Sequence, residues 1–412
     1  MNEPGTARRV IQVDRHIIGP TEPRVRNVCP RKLSDYPHVP AVYRDAARVY
    51  SSTLLMGPPI CDELIALVRH VYTEEEAGAV RHLHMVRGRT AAQVAKAEHR
   101  PVEQVEPVLR RLANEKRCIV EAGPEGKKRY HLLPVMPGMF EMVLIVCRPE
   151  TLSDWHRRFI EMFEALYETG YSLDYAGGPA SRMVRFLPVN RAIEAHPLAL
   201  PSDHLAAVLD QFEVFAVGRC QCRMTAIAKG EGCGKPLENC MVMGSWAQRG
   251  IDDGSLRAVS KQEALDIKRE AEAHGMVNWV MNVESTKGQC SCSCCGCCCH
   301  AMRMVNEFNA PALSAPPHFL PSLDQAKCNS CGRCAKSCPM GAITVDTAAK
   351  TWQHRAERCI GCGLCAVACE QKRAIAMDAV PDYRLPYKSW FSMLSRNLPG
   401  MLKMAWKVGR QR

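Results

Sequence analysis

The chain has 412 residues, a formal net charge of +11 and 23 cysteines, long enough for several domains with separate cores. Hydrophobic residues at 47% and charged residues at 24% exclude a disordered or fibrous chain, and the longest apolar run, MFEMVLIVC at 139–147, is too short to cross a bilayer. The opening stretch MNEPGTARRVIQVDRH has no apolar core of export-signal length, so a reducing cytoplasm is expected, where a disulfide framework does not persist.

Residues 1–40 read as an N-terminal extension. From 41 to 135 the pattern turns helical. CDELIALVRHVY is one helix, and TEEEAGAVRHLHMV opens on a capping box between Thr73 and Glu76. TAAQVAKAEH gives a short helix from Thr90. PVEQVEPVLRRLANEKR gives a longer one, with Pro101 at its first turn and Val102, Val105, Val108, Leu109 and Leu112 on one side. CIVEA and RYHLL flank GPEGKK as a β-hairpin. This run of helices closed by a hairpin resembles a winged-helix domain. The resemblance implies DNA contacts from Arg110 and Arg111 near the end of the last helix and from Lys127 and Lys128 in the wing. A protein-docking or dimerisation module is the alternative.

Residues 136–219 read as a small α/β region. MFEMVLIVC and RMVRFLPVN are expected as strands, WHRRFIEMFEALYETG and SDHLAAVLDQF as helices. No Gly-rich nucleotide loop, Walker sequence or hydrolase motif is present.

The cysteines are concentrated downstream. Only Cys29, Cys61, Cys118 and Cys147 precede position 200, and clustering of this kind points to metal. In the region 220–310, Cys220, Cys222, Cys233 and Cys240 come first and are expected to contribute to one site. The amphipathic helix SKQEALDIKREAEAHG follows, with Ala264, Leu265, Ile267 and Ala271 on its apolar side, then the strand GMVNWVMNV. The dense run CSCSCCGCCCH at 290–300 is next, with Cys292, Cys294, Cys295 and Cys298 as its main candidate ligands. Successive side chains in extended chain point apart, so adjacent cysteines are expected to serve different sites. His300 reads as a capping or surface residue, with metal ligation the alternative. These thiols suit one or two further Fe–S clusters, a zinc tetrathiolate, or a thiol relay.

CNSCGRCAKSCP places Cys328, Cys331, Cys334 and Cys338 at C-x2-C-x2-C-x3-C-P, and CIGCGLCAVACE repeats the spacing with Cys359, Cys362, Cys365 and Cys369. This pair closely resembles the bacterial two-[4Fe-4S] ferredoxin domain, over about 322–381. The resemblance implies two [4Fe-4S] clusters with crossed ligation, one on Cys328, Cys331, Cys334 and Cys369, the other on Cys359, Cys362, Cys365 and Cys338. Glu370 stands where the second motif often has proline. Arg333, Lys336, Arg355, Arg358, Lys372 and Arg373 surround the motifs and suit an acidic redox partner. The neighbourhood of these clusters favours further Fe–S clusters in the upstream region. The order C-x-C-R, dense cysteine run, ferredoxin also resembles a group of cysteine-rich ferredoxin-domain proteins of anaerobes.

From Tyr383 to the end no residue is acidic, and Trp390, Phe391, Leu394, Leu398, Met401, Leu402 and Trp406 recur at helical spacing, interrupted at Pro399-Gly400. This tail, 383–412, suits either packing on protein or peripheral contact with the inner face of an anionic membrane. The expected fold is multidomain α+β: a winged helix, a small α/β cysteine-rich domain and a two-cluster ferredoxin domain. The expected function is multi-cluster electron transfer, as redox subunit or partner of an oxidoreductase. A redox-responsive regulator that binds DNA, and an enzyme with an open cluster position for substrate, are the alternatives.

Overall fold

A computed structural model describes residues 7–124, 126–178, 182–284 and 287–412. Residues 1–6 of the N-terminal extension and Glu125 of the GPEGKK segment lie outside it. In chain order the elements begin with β1 (Ile11–Asp14), β2 (Ile17–Pro20), α1 (Ala41–Tyr50), α2 (Asp62–Val71), α3 (Glu74–Val80), α4 (Ala91–Glu98) and α5 (Val102–Asn114). Next come β3 (Ile119–Ala122), β4 (Arg129–Leu132), α6 (Phe140–Leu144), α7 (Asp154–Glu168), β5 (Val184–Phe186), α8 (Asn190–Ile193) and α9 (Leu205–Leu209). The cysteine-rich region holds β6 (Phe215–Arg219), α10 (Gln221–Ala228), β7 (Glu238–Gly244), α11 (Ser245–Asp252), β8 (Arg257–Val259), α12 (Lys261–Ala273), β9 (Val277–Met281), β10 (Gly288–Cys294) and α13 (His300–Phe308). The chain ends with β11 (Phe319–Leu323), α14 (Arg333–Lys336), β12 (Ile343–Asp346), β13 (Thr351–His354), α15 (Leu364–Ala368), β14 (Ile375–Ala379) and α16 (Trp390–Gln411).

The chain divides into two compact units. One combines the stretch up to Val25 with Ala176–Met401, the other Arg26–Tyr175 with Leu402–Arg412. The region 136–219 is therefore split between them at Tyr175.

In the helical unit, α3 and α4 start on capping boxes, Thr73 with Glu76 and Thr90 with Gln93, which satisfy backbone N–H groups that a helix start leaves unpaired. The segment 139–147 is not a strand. Gly138, at φ 147°, turns the chain, its N–H donates to Glu141 Oε2 at 2.6 Å, and α6 follows. Phe140, Val143 and Leu144 are buried at helical spacing, and Phe140 stacks on Phe163 of α7 with centroids 4.1 Å apart. The short apolar run gave no way to tell a strand from a buried helical turn.

Glu76 is the polar centre of this unit, 1% exposed. It accepts from the Thr73 N–H at 2.9 Å, Arg111 Nε at 3.1 Å and Lys116 Nζ at 2.5 Å. Burial pushes its carboxyl pKa up, and these three donors outweigh that and hold it below the ordinary carboxylate value.

Among the described residues the other unit carries three sheets. The largest is antiparallel, in the order β5-β9-β10-β7-β6-β8. The ferredoxin segment pairs β11 with β14 and β12 with β13. Part of the N-terminal extension is built into that segment. β1 and β2 form a hairpin, and β2 pairs with β12 through Ile18 opposite Val345, giving the sheet β1-β2-β12-β13. Ile18 is buried with Ala335, Ile343, Val345 and Cys365. The tail differs from its expected break, because α16 continues through Pro399. Met393, Asn397, Ala405 and Val408 are buried at helical spacing, and this packing offsets the N–H that proline lacks.

Glu76→Gln should lower stability by about 1–3 kcal/mol at neutral pH. A carboxyl held below its unfolded pKa stabilises the fold above that pKa and ceases to do so on acidification. Urea unfolding followed by far-UV circular dichroism should therefore show the gap between wild type and variant narrowing as pH falls below about 4.3.

Candidate metal centres

The eight ferredoxin cysteines surround two hollows. Cys328, Cys331, Cys334 and Cys369 line one, together with Arg333, Trp352 and Lys372. Cys338, Cys359, Cys362 and Cys365 line another, together with Pro321, Ile343 and Met377. Each C-x2-C-x2-C segment is a loop running into a one-turn helix, α14 or α15, whose N-caps Gly332 and Gly363 sit at φ 72° and 76°. A side chain at either would also have to displace a packed neighbour. A Cβ on Gly332 would lie 2.2 Å from Ile18, and one on Gly363 2.3 Å from Ala192. Backbone N–H groups point at sulfur: Ser330 at Cys328 (3.4 Å), Ala342 at Cys338 (3.2 Å) and Gly361 at Cys359 (3.4 Å). Four thiol donors facing an enclosed space, with N–H groups turned toward sulfur, fit an iron–sulfur cubane.

The hollows differ in depth. Cys331 in the first is exposed, and the Arg333 N–H and guanidinium outweigh burial to hold its thiol below the ordinary value. Cys362 and Cys365 in the second are buried, and burial pushes both thiols up. The basic residues divide in the same way. Arg333, Lys336, Lys372 and Arg373 are exposed. Arg358 is buried and acts internally, donating from Nε to Met340 O at 2.9 Å and from Nη1 to Asn309 Oδ1 at 2.7 Å. It is not part of a docking face. Glu370, at the position where the second motif often has proline, pairs with Arg191 at 2.5 Å on the surface.

The upstream cysteines are organised by β10. Successive residues of a strand face opposite sides, so CSCSC sorts itself: Cys290, Cys292 and Cys294 to one face, Ser291 and Ser293 to the other. Behind the serine face lies Lys268 of α12, 1% exposed. It donates to Asn239 O (3.1 Å), Ser291 O (2.7 Å) and Ser293 Oγ (3.1 Å). Burial lowers its pKa to about 8, against the pull of Cys292 and Cys240. Arg223, 2% exposed on α10, donates to Ser293 O at 3.0 Å, to Asn239 Oδ1 and to Cys295 Sγ at 3.8 Å. Burial works against its charge, and Cys220, Cys295 and Cys240 outweigh it.

Ten of the eleven upstream thiols fall into two groups. The first is a string of six: Cys292 beside Cys240 (3.7 Å), Cys240 beside Cys220, Cys220 beside Cys222, Cys222 beside Cys299, and Cys299 beside Cys294. Cys220 is held low by Cys222 and Cys240, and Cys299 by Cys222 and Cys294, while Cys222, Cys240 and Cys294 are held high. So many thiols in a buried space cannot all ionise without a cation. His300, 1% exposed, opens α13 with Nδ1 3.2 Å from Cys222 Sγ. It is a buried neighbour of the string, not a surface residue.

The second group is Cys233, Cys295, Cys297 and Cys298, with all four Sγ within 4.8 Å of one another. Cys233 thus lies with the dense run, apart from Cys220, Cys222 and Cys240, with which the sequence had grouped it. Of the adjacent pairs expected to serve different sites, Cys294 separates from Cys295 and Cys298 from Cys299, but Cys297 and Cys298 stay together in the tetrad, Sγ to Sγ 3.6 Å.

The string abuts the second ferredoxin hollow. Cys294, Cys299, Cys338 and Cys362 share one buried core with Val277, Met302 and Met340. Asn306 of α13 donates to Gly296 O (3.0 Å) in the dense run and to Pro339 O (2.9 Å) in the first ferredoxin motif. Gly296 has no room for a side chain, since a Cβ there would lie 2.1 Å from Pro339 O.

Of the cations expected to contact DNA, Arg110 pairs with Glu106 at 2.8 Å, Arg111 with Glu76 at 3.1 Å and Lys128 with Glu121 at 2.7 Å. Lys127 lies exposed beyond β3. Among the described residues no helix is long and apolar enough to cross a membrane.

The family described as a 4Fe-4S dicluster domain matches residues 327–372. The chain therefore carries a C-terminal ferredoxin-type segment within a mixed α/β fold, with a further cysteine cluster upstream. No curated protein and no solved structure matches the chain.

Lys268→Met would strip three acceptors of their donor behind β10. Unfolding should become easier by about 2–4 kcal/mol, read as a lower urea midpoint, whereas the exposed Lys261→Met should change it little.

Proposed function

We propose that the chain is a multi-cluster iron–sulfur electron-transfer protein that serves as a redox subunit or partner of an oxidoreductase. The observation that carries this reading is the core in which Cys338 and Cys362 of the buried hollow lie with Cys294 and Cys299 of the six-thiol string. Apolar packing and the Asn306 bridge hold the two thiol sets at a fixed separation, as a path for electrons requires.

A [4Fe-4S] cluster, when bound, supplies one-electron transfer at a potential set by hydrogen bonds to its sulfurs and by burial. The four-and-four grouping around the hollows supports crossed ligation, with Cys369 joining Cys328, Cys331 and Cys334, and Cys338 joining Cys359, Cys362 and Cys365. The Ser330, Ala342 and Gly361 N–H groups are placed to stabilise added negative charge on sulfur. At the shallower hollow, exposed Arg333 and Lys372 present positive charge beside Cys331. That face suits an acidic protein donor or acceptor, and the buried hollow leads inward to the string.

On protein purified without oxygen, Cys331→Ser and Cys362→Ser should each remove the iron and acid-labile sulfide of one cluster. Iron unchanged in both variants would overturn the reading. Arg333→Glu combined with Lys372→Glu should slow reduction by an acidic one-electron donor protein about tenfold at low salt, with the difference shrinking as salt is raised.

A further inference from the structure

The tetrad Cys233, Cys295, Cys297 and Cys298 has a geometry unlike that of the ferredoxin cysteines. Its four Sγ atoms lie within 4.8 Å of one another, with Cys233 to Cys295 at 4.0 Å and Cys297 to Cys298 at 3.6 Å. A tetrahedral zinc with Zn–S bonds of about 2.3 Å sets its thiolates about 3.8 Å apart. A cubane holds each thiolate on a different iron and needs space between them, and the ferredoxin cysteines are arranged four and four around such hollows.

The chain builds this tetrad from two pieces. Cys295-Gly-Cys297-Cys298 forms a turn closed by the Cys299 N–H donating to Cys295 O at 3.1 Å, and Cys233 arrives from the loop after α10. The surroundings are small and apolar, Ala226, Ala271 and Met276. They shield sulfur from water and bring no competing oxygen or nitrogen ligand. A zinc tetrathiolate carries net negative charge, and Arg223 is the buried cation that meets it, 3.8 Å from Cys295 Sγ.

We infer that Cys233, Cys295, Cys297 and Cys298 hold a single zinc ion as a structural tetrathiolate, separate from the six-thiol string. The ion pins the loop after α10 to the dense run. Cys294 and Cys299, immediately outside the pinned turn, are thereby set in the string. Zinc has no redox chemistry, so this centre braces an electron path without belonging to it. The inference stands apart from the electron-transfer reading, because zinc content and iron with sulfide content are read independently.

The experiment is metal analysis and zinc X-ray absorption on the full chain purified without oxygen, with Cys297→Ser and Cys233→Ser beside wild type. One zinc per chain is expected in wild type, with sulfur neighbours alone at about 2.3 Å. Either variant should lose at least nine-tenths of that zinc while the iron and sulfide of the ferredoxin segment stay. Wild-type absorption needs no variant to fold. Zinc absent from wild type, nitrogen or oxygen in its first shell, or iron and sulfide lost from Cys297→Ser in place of zinc would each overturn the inference.

Discussion

The constraint on which this structure turns is the repulsion among buried thiolates. The six-thiol string and the tetrad place ten sulfurs on and around one strand and one turn. Desolvation keeps thiols protonated, and a neighbouring thiolate raises the next proton further. Only cations release that constraint. The chain supplies Arg223, 3.8 Å from Cys295 Sγ, and Lys268, behind the serine face of β10, at 2% and 1% exposure, and bound metal would supply the rest. That need explains why Arg223 and Lys268 are buried beside these thiols, where each would otherwise be costly.

The two-residue period of a strand converts the constraint into architecture. CSCSC turns Cys292 and Cys294 toward the thiol string and serine toward α12, so one strand serves both a thiol face and a hydrogen-bonded polar layer. Gly296 then lets the turn lie against Pro339 O, and Asn306 fastens it there. The cysteine-rich sheet and the ferredoxin segment thus meet at backbone, where small displacements are least tolerated. The N-terminal hairpin closes the same assembly from the far end of the sequence, adding β2 to the edge of β12.

Much of this was legible in the sequence. The ferredoxin motifs carry their own spacing, the capping box at Thr73 and the helical stretch from Thr90 announced α3 and α4, and the apolar side of α12 was readable from Ala264 and Ala271. The same stripe held a missed signal: Lys268 lies four residues after Ala264 and three before Ala271, hence on the buried side. Arg223 stood in plain view in CQCR, but a cation beside cysteines reads equally as surface. The grouping of Cys233 with Cys295, Cys297 and Cys298 was not legible, because it depends on how a loop 62 residues upstream of Cys295 returns to the turn. The helical turn at 140–144 and the unbroken α16 were decided by packing that local propensity does not encode.

The central claim is that the upstream string exchanges electrons with the ferredoxin segment. Its most direct test is an anaerobic coulometric titration, counting the electrons taken up by the full chain and by Cys222→Ser. The account predicts that wild type accepts more electrons than its two ferredoxin clusters can hold, and that Cys222→Ser loses only the excess. Uptake that matches the ferredoxin pair alone, and is unchanged in the variant, would contradict it.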